Sequence, residues 1–128
     1  MSVEYRFDSN IVVMEMAGEY SLDDIRIAIV NSLADPACPA NSFLLINLTN
    51  SQSILTRSSE DVKTMAHFVA SLGERFHNRI ALVAPGDLPF GQMRMSSVGA
   101  EERGIQAEVF RSFIKARAWL LSRDPPTA

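Results

Sequence analysis

The sequence contains one cysteine and two histidines among its 128 residues. Because Cys38 has no second cysteine, an intrachain disulfide and a cysteine-built metal site are both excluded, and a reducing cytosol fits this usage. His67 and His77 lack a cysteine or acidic partner at the spacing of metal ligands. We therefore predict no metal site and interpret both histidines as surface or boundary residues.

Long apolar runs and an excess of positive charge are also missing. No apolar run approaches the roughly 20 residues that a membrane-spanning helix needs, and residues 1–8 lack a basic segment followed by an apolar core. We expect a cytoplasmic protein with no transmembrane segment. The formal charge of -3 argues against general affinity for nucleic acid, whose phosphates require a basic surface.

The sequence does have enough apolar residues for a core. With 128 residues and 47% hydrophobic content, it predicts one domain, with a core over about residues 3–121 and a flexible tail at 122–128. Residues 1–64 carry 9 acids and 4 bases, whereas residues 65–128 carry 6 acids and 8 bases. This imbalance is typical of a solvated surface, and complementary faces in a homodimer are the alternative.

The pattern of apolar residues predicts an α/β fold. Residues 43–48 and 80–84 are apolar with little polar alternation, as in parallel strands that are covered on both faces. Residues 3–8 and 105–110 alternate, which is typical of half-exposed or edge strands. We predict a mixed, mostly parallel sheet of about five strands with about four helices packed on it, in the order β-β-α-β-α-β-α-β-α. The predicted strands are 3–8, 11–18, 43–48, 79–84 and 105–110, and the predicted helices are 22–34, about 58–76, 90–102 and one following Ser112.

One loop stands where open α/β sheets usually bind ligands. The segment Pro85–Gly91 follows a predicted parallel strand and precedes a predicted helix. Gly86 and Gly91 would allow close backbone approach, and Arg94 would pair with an anion. The plainer interpretation, which the pattern favours, is a tight strand-to-helix turn with Arg94 in water.

Recognisable catalytic motifs are absent. The sequence has no Gly-x-Ser-x-Gly elbow, no Walker A loop and no Gly-x-Gly-x-x-Gly. Glu101 and Glu102 are neighbours that diverge around a helix, and Asp23 and Asp24 occupy a first helical turn, so neither pair forms an acid/base dyad. No cofactor is implied.

Several short motifs in a fixed order resemble a known family over about residues 10–121. They are a strand ending in Gly18, a helix leading to Ala34-Asp35-Pro36, the strand Phe43 to Leu48, Ala81-Leu82-Val83-Ala84-Pro85, Phe90-Gly91-Gln92-Met93-Arg94-Met95, Val109-Phe110-Arg111 and Ala118-Trp119-Leu120. This set is similar to the SpoIIAA-like branch of the STAS superfamily. The resemblance implies a mixed sheet with packed helices and a non-enzymatic binding module, with lipid-binding CRAL-TRIO domains as distant relatives.

The resemblance also indicates where a regulatory serine would lie. Anti-sigma antagonists of that superfamily carry a phosphorylatable serine in an Asp-Ser-Ser-Gly motif after a central strand. This chain has Thr49-Asn50-Ser51-Gln52-Ser53 there, without the motif, so a kinase-switched role is in doubt. Ser51 is the nearest hydroxyl, and its phosphorylation would add negative charge at that turn.

We therefore expect a non-catalytic module that binds a protein partner or a small apolar or anionic ligand. Asn50 and Ser51 would form a hydrogen-bonding rim beside the loop that contains Gly86, Asp87, Gly91 and Arg94. One alternative is a self-associating dimer that pairs through the strand at 3–7 or the strand at 105–110. A weaker alternative is a small hydrolase that uses Asp87 with Arg94 or His67.

Overall fold

The computed structural model describes residues 3–51, 64, 67–68, 71, 73–76, 79–86, 91 and 106–122. These ranges contain five strands, two α-helices with defined bounds and one short 3-10 helix. They are β1 (Val3–Asp8), β2 (Ile11–Gly18), α1 (Leu22–Ala34), β3 (Phe43–Ser51), the 3-10 helix Gly73–Phe76, β4 (Arg79–Val83), β5 (Gln106–Phe110) and α2 (Phe113–Ser122).

The five strands form one sheet in the order β1-β2-β3-β4-β5. β1 and β2 are antiparallel and form a hairpin, whose turn places Ser9 at a φ of 54°. The three remaining pairs, β2–β3, β3–β4 and β4–β5, are all parallel. The prediction of a mixed, mostly parallel five-stranded sheet is therefore confirmed, and the two strands with alternating sequences lie at its two edges.

α1 begins and ends at the predicted residues because its sequence caps it. The Ser21 hydroxyl accepts a hydrogen bond from the backbone N–H of Asp24, and the Asp24 carboxylate accepts one from the N–H of Ser21. This reciprocal pair satisfies two N–H groups that the first turn leaves without helical partners. Asp35 ends the helix in an extended conformation immediately before Pro36.

The sheet packs a helix on each face. One face, called here the α1 face, carries a buried cluster to which β2, β3, β4 and α1 all contribute, including Val12, Met14, Ile29, Leu44, Ile46 and Ile80. The opposite face, called the α2 face, is covered by α2 over β3, β4 and β5. Its buried cluster is Ile11, Val13, Phe43, Leu45, Ala81, Val83, Ala116 and Leu120.

Trp119 packs at the border of the α2 face. Its ring lies 5.6 Å from that of Phe110, and the guanidinium carbon of Arg79 lies 5.8 Å from the Trp119 ring centre. Arg79 also lies 5.4 Å from the ring centre of Phe43. A buried arginine between two aromatic rings joins the start of β4 to α2.

The sequence predicts about four helices, and the described residues contain two with defined bounds, α1 and α2. The predicted helix at about 58–76 lies largely outside the described residues, although Thr64, His67, Phe68 and Ser71 have helical conformation. The predicted helix 90–102 lies outside them except for Gly91, which is also helical.

β3 is longer than predicted. The sequence Thr49-Asn50-Ser51 has turn chemistry and was expected to leave the sheet after Leu48, but β3 continues to Ser51. The reason is pairing with β2, in which Ala17 is the partner of Asn50 and Gly18 is the partner of Ser51. A partner strand overrides local turn preference, and the prediction of a turn over 49–51 was wrong.

Candidate functional site

The candidate site lies where the four parallel strands end. Because β2, β3, β4 and β5 run in the same direction, their carboxyl ends meet at one border of the sheet, where open α/β sheets bind ligands. We call this border the carboxyl edge. It is formed by Ala17, Gly18, Thr49, Asn50, Ser51, Pro85, Gly86 and Arg111.

The structure brings the two predicted halves of the site to this edge. Asn47 of β3 is the register partner of Val83 of β4, and three residues further along each chain lie Asn50 and Gly86. Both Asn50 and Gly86 are exposed. The rim predicted at the end of β3 and the loop predicted after β4 therefore lie at the same border, since β3 and β4 are neighbouring strands.

A bulge in β3 shapes the edge. Between the pairs Glu15–Asn47 and Ala17–Asn50, β2 advances by two residues and β3 by three. The Asn47 side-chain oxygen accepts hydrogen bonds from the Thr49 backbone N–H at 3.1 Å and from the Thr49 hydroxyl at 2.6 Å. Asn47 thus supplies a partner for an N–H group at the bulge, and bulges of this kind reorient side chains beside functional sites.

Asn47 also connects the bulge to a carboxylate. Its side-chain N–H donates to Glu15 Oε2 at 2.9 Å, and Arg6 Nη2 donates to Glu15 Oε1 at 3.1 Å. Glu15 and Asn47 are both half-buried, and each oxygen of the Glu15 carboxylate accepts a charged or amide donor. The result is a fixed row of polar side chains on the α2 face, leading from β1 to the carboxyl edge.

Arg111 is a residue of this edge to which the sequence assigned no role. Its Nη1 donates to the Pro85 carbonyl at 3.2 Å, and the Ala84 N–H donates to the Phe110 carbonyl at 2.9 Å. These two bonds hold the end of β5 against the start of the loop that contains Gly86. Only its position in the sequence could have indicated this place, because Arg111 is the first residue after the last parallel strand.

The other predicted site residues have different outcomes. Asp87 and Arg94 lie outside the described residues. Ser51 is the last residue of β3, where it pairs with Gly18, and is not part of a free turn. Gly91 is helical and exposed, with open space where a side chain would begin. His67 is helical and exposed, so the described residues do not test whether it converges with Asp87 and Arg94.

Among the described residues, no group of three or more histidine, cysteine, aspartate or glutamate side chains is placed to hold a metal ion. None of the described helices has the length and apolar character that crossing a membrane requires.

Polar contacts connect β1 to α2 and to Asp35, the residue that caps the C-terminus of α1. These contacts shift the pKa values of the side chains that form them. Arg117 of α2 donates to both Asp8 carboxylate oxygens, at 2.9 and 3.1 Å, and this bidentate hydrogen bonding lowers the pKa of Asp8. The Tyr5 hydroxyl donates to Asp35 at 2.8 Å, which raises the pKa of Tyr5. The pKa of Asp35 is lowered, first by the Ala37 backbone N–H and then by Tyr5.

Comparison with solved structures identifies the architecture. The chain aligns with the crystal structure of an uncharacterized DUF3478-family protein from Shewanella loihica PV-4 at a TM-score of 0.58, over 92% of this chain and 91% of that one. The chain has a SpoIIAA-like fold. Sequence identity over the alignment is 14%, so the similarity establishes the fold and leaves function open. Neither the protein-family models nor the curated proteins include a match to this chain.

Proposed function

We propose that this SpoIIAA-like protein is a non-catalytic binding or regulatory module that uses its carboxyl edge. Its ligand would be a protein partner or a small molecule that presents an anionic group. The observation that carries the proposal is that two exposed residues, Asn50 at the end of β3 and Gly86 in the loop after the adjacent strand β4, lie at the border where parallel sheets bind ligands.

The chemistry of the edge favours a hydrogen-bonding, anionic group. Asn50 offers an amide that both donates and accepts. Arg111 places a guanidinium next to the Gly86 loop, and arginine binds carboxylates and phosphates through parallel N–H donors. Gly86 has no side chain to obstruct a ligand that approaches the loop backbone.

The polar row behind the edge would keep it rigid. Because Asn47 bonds to both Glu15 and Thr49, the bulge that presents Thr49 and Asn50 is fixed before a ligand arrives. A preformed site loses little conformational freedom on binding, which favours affinity.

A titration with a simple anion tests this proposal. We expect inorganic phosphate to shift the backbone amide resonances of Asn50, Gly86 and Arg111 in a saturable manner, because these residues form the edge. R111Q should weaken the shifts. R75Q is the matched control, because Arg75 is also exposed and also donates to a backbone carbonyl, that of Ala40 at 3.5 Å. Shifts of equal size in both variants, or shifts centred elsewhere, would contradict the anionic site.

Ser51 remains the proposed position for regulation by phosphorylation. A phosphate at the end of β3 would place about two negative charges at the carboxyl edge, the border to which Arg111 also belongs. Comparing the affinity of an identified partner for S51D and S51A tests this role. Equal affinities would count against it.

The enzymatic alternative remains a prediction. It requires His67, Asp87 and Arg94 to converge in one concave pocket, and two of these residues lie outside the described ranges. A crystal structure that showed the three side chains within hydrogen-bonding distance of a common point would favour this alternative over the binding module.

A further inference from the structure

β1 forms an edge of the described sheet, and its charges are of both signs. Within the described residues β1 pairs with β2 alone, through an uninterrupted register from Val3–Met16 to Asp8–Ile11. Natural edge strands are commonly blunted by proline, by lysine or other charged side chains, by short length or by a bulge. β1 has six residues, contains neither proline nor lysine and shows no bulge in its pairing.

The charges of β1 alternate in a way that favours one partner. Glu4, Arg6 and Asp8 occupy successive positions on the α2 face, while Val3, Tyr5 and Phe7 pack with the α1-face cluster. Two antiparallel copies related by a two-fold axis must be centred on one residue that pairs with itself. The centre decides which charges lie opposite each other.

Only some centres bring unlike charges together. Centring on Arg6 would place Arg6 opposite Arg6 and Glu4 opposite Asp8, which repel. Centring on Tyr5 places Glu4 opposite the second copy's Arg6 twice, and it places Val3 opposite Phe7 twice. It also uses all five residues from Val3 to Phe7, whereas centring on Phe7 would shorten the overlap.

We infer that this protein forms a two-fold homodimer by antiparallel pairing of β1 with β1, centred on Tyr5, which joins two five-stranded sheets into one. The neighbours of β1 support this register. Glu4 lies opposite Glu15 of β2, and in this register the second copy's Arg6 would lie on the other side of Glu4. Arg6 stays near β1 because Glu15 binds it.

The aromatic side chains on the apolar side of β1 are also held in place for the contact between the two copies. The rings of Tyr5 and Phe7 are both partly buried, and their centres lie 5.6 Å apart. The bond from the Tyr5 hydroxyl to Asp35 fixes the Tyr5 ring, so two copies would form a four-ring cluster across the axis with little ordering cost.

The opposite edge lacks this complementarity. β5 carries one charged residue, Glu108, between Gln106 and Phe110. A two-fold pairing of β5 therefore places Glu108 opposite itself or opposite an uncharged residue, and never opposite a positive charge of β5. β1 alone is therefore assigned to the dimer contact, and this contact does not involve the carboxyl edge.

Sedimentation velocity of the full chain across a micromolar concentration series tests the dimer. Pairing over five residues is a small contact, so we expect a dimer that dissociates on dilution. E4R should abolish it, because arginine would face Arg6 at both ends. E4R leaves both residues of the Arg6–Glu15 pair in place, and a circular dichroism spectrum equal to that of the wild type would show that the monomer stays folded. E4R/R6E should restore dimerisation, and E108R should leave it unchanged.

Crosslinking tests the register. With Cys38 replaced by serine, Y5C should form an interchain disulfide under mild oxidation by oxygen and a copper catalyst, because the two copies of residue 5 would lie directly opposite. R6C should crosslink at least several-fold more slowly. A wild-type monomer at every concentration, a dimer unaffected by E4R, or faster crosslinking of R6C would overturn the inference.

Discussion

The two faces of the sheet differ in where they are apolar. On the α1 face, buried side chains run from Val3 of β1 to Ala107 of β5 without a charged member. On the α2 face, the buried cluster covers β2, β3 and β4 beneath α2, but toward β1 the positions are Glu4, Arg6, Asp8 and Glu15. The α1 face is therefore a core throughout, whereas the α2 face combines a core with a polar row.

The apolar residues and the polar row therefore have different roles, the first in stability and the second in the proposed binding contacts. Apolar residues on both faces exclude water and hold α1 and α2 against the sheet. The polar row of the α2 face leads in one direction to the carboxyl edge and in the other to the β1 edge. Each of the two proposed contacts, with an anionic ligand and with a second copy, uses one end of that row.

The largest expected effect is on the buried residues of the helices. Ile29 and Leu120 are fully buried, on the α1 face and the α2 face respectively. We expect I29A and L120A each to lower the free energy of unfolding by about 2–5 kcal/mol, because each leaves a cavity in a packed core. Urea denaturation followed by circular dichroism measures both changes.

The same helices supply matched controls. Ile27 is 52% exposed on α1, and Ile114 is 79% exposed on α2. We expect I27A and I114A to change the free energy of unfolding by less than about 0.5 kcal/mol. If I27A cost as much as I29A, the assignment of the buried side of α1 would be wrong.

A smaller effect is expected in the polar row at the bulge. N47A should lower the free energy of unfolding by about 1–2 kcal/mol, because Glu15 and the Thr49 N–H each lose a hydrogen-bond partner. Hydrogen exchange should show faster exchange of the Thr49 amide than in the wild type. N31A on the exposed side of α1 is the control, and equal Thr49 exchange in wild type and N47A would contradict the role assigned to Asn47.

The contact between Asp8 and Arg117 should make α2 attachment depend on pH. Because Arg117 lowers the folded-state pKa of Asp8, the stabilisation is fully present above the unfolded pKa of about 3.9 and is lost as the pH falls through the lower folded value. We expect the wild type to lose more stability than D8N over that acidic range. Identical slopes for the two proteins would contradict the contact, and E19Q, in an exposed loop, is the control.

The smallest expected effect concerns Tyr5 on the α1 face. Its pKa is raised by the hydrogen bond to Asp35, so the bond stabilises the fold below the unfolded pKa of about 10 and is lost as the pH rises through the folded value. The ultraviolet titration of tyrosinate in the wild type minus that in Y5F should show one tyrosine titrating above its ordinary range. Titration at or below the ordinary value would contradict the bond.

The elements with strong local signals were predicted correctly. Ser21 and Asp24 cap the start of α1 and Pro36 follows its end, and the structure places the helix at Leu22–Ala34 as predicted. α2 begins after Ser112, whose hydroxyl accepts the Lys115 N–H at 3.2 Å. In both cases the deciding contacts join residues three positions apart, so sequence spacing reveals them.

The features that were missed depend on contacts between distant residues. Glu15 and Asn47 are 32 positions apart, and Asp8 and Arg117 are 109 positions apart. The extension of β3 to Ser51 likewise comes from β2 and opposes the local preference for a turn. Arg111 belongs to one of the short motifs of the resemblance, but its place at the carboxyl edge follows from strand order, which that motif does not give.

Native mass spectrometry of the chain purified from its host tests the central claim, that the carboxyl edge is a binding site, most directly. The wild type, R111E and R75E would be compared after confirming that all three are folded. We predict a reproducible non-covalent adduct, either a small molecule or a protein, on the wild type and R75E that is lost from R111E. An adduct retained equally by both variants, or a wild-type chain that carries none, would contradict the claim.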